Sequence, residues 1–138
     1  MSDHQQLLGA WRLVTWEERT DRGLGYPLGP DAIGQISYDA SGRMSAQLAR
    51  PGQARFISED WREAASQERS MAWVNYFGYF GTYSVDEENK AVIHRIEGSW
   101  FPNLVGTEQI RYYRFEEKQL VLEAKTPWGD VRIVWEKD

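Results

Sequence analysis

Apolar and polar residues alternate with a period of two along most of the chain, and Gly, Pro, Asn and Asp cut the alternation into short runs. A first run covers 9–19, with Trp11, Leu13 and Thr15 against Arg12, Val14 and Trp16. Residues 20–30 carry Gly23, Gly25, Pro27, Gly29 and Pro30 and are predicted as a long loop. Runs at 33–39 and 43–50 flank Asp39-Ala40-Ser41-Gly42, a predicted tight hairpin turn. Met44, Ala46 and Leu48 share one face of the second run. Strands are predicted again at 79–85, 90–100, 107–115, 119–125 and 130–136, separated by polar turns and by Pro127-Trp128-Gly129.

One segment breaks this rhythm. Ser58 is placed to cap a helix whose first turn holds Glu59 and Asp60, where the dipole favours negative charge. Trp61, Ala64, Ala65 and Ala72 form a thin apolar stripe, and the polar run 66–70 interrupts it, so 58–76 reads as one interrupted helix or two short ones. The pattern therefore predicts an all-β fold of eight strands with a helical insert between the third and fourth. Short sequential connections favour an up-and-down antiparallel sheet, and one apolar face per strand favours closure into a barrel. At eight strands the interior is filled by side chains or holds one small ligand.

Composition narrows the partners. With 138 residues, the chain is expected to form a single domain over 1–138. The net charge of −5, with 12 Arg and 4 Lys, argues against nucleic acid and anionic membranes. No apolar run approaches a membrane span, and the polar start, taken as a loose terminus, carries no signal-peptide pattern, so a cytoplasmic location is expected. There is no cysteine, no His-x-His and no His-Glu-x-x-His, so the reading carries no metal and no cofactor.

Of two histidines, His94 lies in Val92-Ile93-His94-Arg95-Ile96, on the face of Val92 and Ile96, so its imidazole is expected to point inward. If Phe101-Pro102-Asn103-Leu104 is the connection to the next strand, Ile96 faces Gln109 and His94 faces Arg111. One extra loop residue would swap that strand's face and bring Ile110 and Tyr112 inside. An inward Arg111 needs a partner: an anionic guest, Glu97, Glu17 or Glu123. The alternative is stacking on Trp11, for which Arg132 competes. Tyr38 and Tyr83 sit on apolar faces and offer hydroxyl donors, while Met44, Leu48, Ile96, Trp73, Tyr76 and Trp100 are expected to line or cap the interior.

Gly9-Ala10-Trp11 is similar to the Gly-x-Trp of the lipocalin and calycin superfamily. Pro27-Leu28-Gly29-Pro30, Gly34 with Tyr38, Gly42-Arg43-Met44-Ser45, and Tyr76-Phe77 with Phe80-Gly81-Thr82-Tyr83 extend the match. So do residues 92–99 and 101–111; the ordered set resembles the bacterial lipocalin-like domain family across nearly the whole chain. The resemblance implies a barrel that binds a small hydrophobic or amphiphilic molecule, and the strand faces and register put Tyr38, Met44, Leu48, Tyr76, Tyr83, His94, Ile96, Trp100, Gln109 and Arg111 around it. It also implies an alternative: a cofactor-free isomerase, cyclase or hydratase for terpenoid-, polyketide- or fatty-acid-like substrates. There His94 is the acid or base, with Arg111 and Tyr83. A third reading is an interaction domain or homodimer that pairs through exposed Trp16, Phe56 and Trp61.

Overall fold

The computed structural model describes residues 1–137. Its elements are α1 (Asp3–Leu7), β1 (Gly9–Thr20), β2 (Gly23–Gly25), β3 (Ile33–Tyr38), β4 (Arg43–Ala49), α2 (Ser66–Val74), β5 (Tyr76–Asp86), β6 (Ala91–Ser99), β7 (Glu108–Glu116), β8 (Gln119–Thr126) and β9 (Gly129–Lys137). The eight long strands pair antiparallel in sequence order, and β9 returns to β1 from Trp11↔Lys137 to Arg19↔Asp130. Closure leaves none of the eight as a free edge. The short β2 is an arm on the end of β1, so the predicted loop at 20–30 begins as a tight hairpin.

Period-two alternation fills the cylinder as expected. Ile36 and Tyr38, Met44, Ala46 and Leu48, Val92 and Ile96, Leu120 and Leu122, and Ile133 and Trp135 are all buried in one core. Two irregularities matter. A bulge between Leu13 and Thr15 inserts one residue against β9, and every later side chain of β1 changes face. The expected order is therefore reversed: Trp16 turns inward and meets Phe77 edge-on at 5.1 Å. It is thus withdrawn from the set of exposed aromatics that the interaction reading needs. A second irregularity lies between Phe80 and Gly81, where a Cβ on Gly81 would overlap the Arg95 carbonyl oxygen.

The two ends of the barrel differ. The end at Gly9 and Tyr38 is plugged by α1, a helix absent from the sequence expectation. Ser2 caps it reciprocally with Gln5: Ser2 Oγ accepts from the Gln5 amide at 3.1 Å, and Gln5 Oε1 from the Ser2 amide at 3.0 Å. Leu7 is fully buried. Asp3 Oδ2 accepts from Lys90 Nζ at 2.7 Å and from the Tyr113 hydroxyl at 2.6 Å. The terminus is docked rather than loose. Trp11 donates its indole N–H to the Leu7 carbonyl at 2.9 Å, and Lys137 Nζ sits 4.8 Å from its ring centre. Lysine, not Arg111 or Arg132, takes the cation position on Trp11; Arg132 pairs with Glu17 at 3.0 Å.

The opposite end carries the insert. Ser58 Oγ accepts from the Asp60 amide, and Trp61–Glu63 form one 3-10 turn. The run 66–70, read as an interruption, instead begins α2. Glu68 caps it by accepting from the amides of Ala65 and Ile57, each at 3.0 Å. No α2 residue is buried, which is why its sequence is polar. Trp73 ties the helix down by donating to the Trp100 carbonyl at 3.1 Å. No helix among the described residues is long and apolar enough to cross a membrane.

Candidate functional site

His94 stands in the middle of β6 and is 1% exposed. Its Nε2 lies 2.6 Å from the Tyr38 hydroxyl and its Nδ1 lies 2.7 Å from the Tyr79 hydroxyl. Burial, aided by the positive charge of Arg111, lowers its pKa to about 3. The ring is therefore neutral at physiological pH, with both nitrogens occupied. Burial also raises the pKa of Tyr38 and Tyr79, and Arg111 pulls each partly back.

The β6–β7 register differs from the expected one by two residues. His94 faces Gln109, and Val92 faces Arg111. The connection is longer than four residues: it includes a 3-10 turn at Pro102–Leu104 and is closed by bonds from the Ile96 amide to the Thr107 carbonyl and from the Gly106 amide to the Ile96 carbonyl. A slip of two preserves the faces. Gln109 and Arg111 are half-buried on the inner side with buried Tyr113, while Ile110 and Tyr112 are about half exposed outside.

Arg111 donates to the Ile110 carbonyl at 3.1 Å and weakly to Gln109 Oε1 at 3.4 Å. Among the described residues no carboxylate pairs with it. Each expected partner is held by another arginine: Glu97 by Arg43, Glu17 by Arg132 and Glu123 by Arg114.

Met44, Leu48 and Ile96 face the interior and are buried. Trp100 is half-buried near the insert, its ring 4.3 Å from Phe77. Tyr83 is inward, but its hydroxyl donates to the Asp39 carbonyl at 2.7 Å and meets His4 Nε2 at 3.1 Å; it makes no hydrogen bond to His94. Tyr76 corrects the expectation. It starts β5 on the outer face, is 39% exposed and donates to Gln47 Oε1 at 2.7 Å. Phe77 and Tyr79 take the inner positions instead. Tyr79 was legible in principle: it lies four residues before Tyr83 and shares its face.

Two buried side-chain atoms among the described residues have no partner, and both are N–H donors: Nε1 of Trp135 and Nε1 of Trp16. No group of described His, Asp or Glu residues is arranged to hold a metal ion. A separate cleft of about 570 Å³ lies between residues 50–57 and α2, lined by Phe56, Ile57 and Met71 rather than by inward strand residues.

What this arrangement can do follows from its chemistry. An apolar cylinder with a few fixed polar groups suits a small guest that is mostly hydrocarbon and bears a polar atom or two. The chain is 30% identical, over 90 residues, to the 4'-hydroxy-3'-methoxypropiophenone carrier protein ppsC of Aspergillus oryzae, covering 61% of this chain and 81% of that protein. The lipocalin-like domain family matches residues 8–137, and the chain belongs to that family.

Proposed function

We propose that this protein is a carrier that holds a small aromatic or amphiphilic molecule inside its barrel and releases it unchanged. The observation that carries the reading is the state of His94, a neutral imidazole with both nitrogens bonded, set among Tyr38, Tyr79 and apolar side chains. A general acid or base works best with a pKa near the operating pH. With a pKa of about 3, this ring is not protonated to imidazolium at physiological pH, so it is a poor general acid and a feeble base. It is suited to ordering neighbouring hydroxyls rather than to moving protons. The name of the Aspergillus oryzae relative supports both the carrier role and an aryl ketone as the kind of guest.

Native mass spectrometry with 4'-hydroxy-3'-methoxypropiophenone tests this. The expected result is a one-to-one adduct whose guest is recovered chemically intact after prolonged incubation. Ala46→Phe, which fills the inner face of β4, is expected to abolish the adduct while leaving the circular dichroism of the barrel unchanged. Conversion of the guest would favour the isomerase reading, and absence of any adduct would contradict the carrier reading. The same spectrum counts subunits and so tests the homodimer.

A further inference from the structure

Counting protons inside the barrel gives an imbalance. A neutral imidazole has one N–H and one bare nitrogen. Tyr38 and Tyr79 each bond one of its nitrogens. One tyrosine must therefore donate to the bare nitrogen, while the other accepts the ring N–H. The accepting tyrosine keeps its own hydroxyl proton, and that proton has no acceptor among the hydrogen bonds of the described residues, whichever tautomer is present. If Nδ1 carries the hydrogen, the spare proton is on Tyr79; if Nε2 does, it is on Tyr38. These hydroxyls belong to residues 4% and 0% exposed, so bulk solvent does not reach them.

The rest of the interior has the same sign. Trp135 is 1% exposed, points inward beside Leu120, and its indole N–H is unpartnered. The Trp16 indole N–H is buried and unpartnered too, against the ring of Phe77. Arg111 adds a guanidinium with no carboxylate among the described residues, close enough to act electrostatically on His94, Tyr38 and Tyr79. Among the described residues no buried side-chain oxygen is without a hydrogen-bond partner. A buried donor without an acceptor destabilises the fold, so several of them facing the interior are poorly explained as packing alone.

We infer that the barrel selects guests that bring acceptor oxygens inside: a carbonyl or oxyanion seated on the donor surplus left by the Tyr38–His94–Tyr79 relay, Trp135 and Arg111. The inference rests on the carrier reading and adds to it the protein donors that select for the guest's oxygen. The donors fix the guest's orientation, and the apolar wall fixes its size. A hydrocarbon of the same shape leaves the spare tyrosine hydroxyl and the Trp135 indole N–H unpaired.

The test uses propiophenone and propylbenzene, which differ by a carbonyl in place of a methylene, titrated into the full chain by calorimetry. An interior that offers only apolar contact prefers propylbenzene, because it is the more hydrophobic. A donor surplus reverses that order, and propiophenone is expected to bind about 5-fold tighter or better, one net hydrogen bond's worth. The carbonyl stretch of bound propiophenone is expected below its frequency in an alkane solvent. Arg111→Met and Trp135→Phe are each expected to weaken propiophenone several-fold and to leave propylbenzene within about twofold; thermal midpoints confirm that each variant is folded.

Tighter binding of propylbenzene, with an unshifted carbonyl stretch, would overturn the inference while leaving the carrier reading standing. Failure of both probes, and of 4'-hydroxy-3'-methoxypropiophenone, to bind would remove the carrier reading and this inference with it.

Discussion

His94 links the barrel's stability to pH in a defined direction. Its pKa is near 6.5 in an unfolded chain and about 3 in the fold, because burial and the Arg111 charge both oppose protonation. Between these values the unfolded chain binds a proton that the fold refuses. The contribution is complete above pH 6.5 and is lost as pH falls, by about 1.4 kcal/mol per pH unit. The groups that bond the ring do not blur this window: burial raises the pKa of Tyr38 and Tyr79, and both stay neutral throughout it. In urea unfolding between pH 6.5 and 5, His94→Gln is expected to be less stable than the parent at pH 7 yet to show a shallower decline. Equal slopes would mean that the ring is hydrated or already protonated in the fold.

At the scale of elements, strand register depends on irregularities more than on the strands themselves. Gly81 stands where β5 steps past β6, against the Arg95 carbonyl. Gly81→Ala is expected to cost at least about 2 kcal/mol, by forcing that carbonyl away and opening the ladder that aligns Tyr79 with the His94 side of the barrel. Chemical denaturation measures the loss, and an unchanged midpoint would show that the strand bends freely there. These steps also mark where sequence reading stopped. Alternation placed the inner faces of β3, β4 and β6, since apolar and polar residues take turns along them. It could not place Trp16, because a bulge flips the parity of β1 without changing its composition. Tyr79 opens the predicted strand at 79–85 on the face of Tyr83, but alternation gives no sign that its hydroxyl reaches His94. The small helix α1 left a trace in Ser2 and Gln5, a capping pair whose meaning depends on the buried Leu7.

For the whole molecule, closure and content were legible to different degrees. Eight amphipathic runs with short links lead to a closed sheet, and the strand order follows the chain. The inner polar constellation needed three dimensions. The four-residue loop argument puts Gln109 and Arg111 on the inner face but gives them the wrong partners, because the strand is slipped by two residues, which changes the pairing and keeps the face. Tyr38 and Tyr79 meet on one imidazole from strands that are not neighbours. The outer arginines, each paired with a strand carboxylate, show by contrast why Arg111 stands apart.

Where the guest sits is the claim on which carrier function turns, because the cleft between residues 50–57 and α2 offers a rival place for an apolar molecule. Intermolecular nuclear Overhauser effects from bound 4'-hydroxy-3'-methoxypropiophenone to assigned methyl groups decide between them. The account predicts contacts to Met44, Leu48 and Ile96 on the inner wall. Contacts confined to Ile57 and Met71 would contradict it.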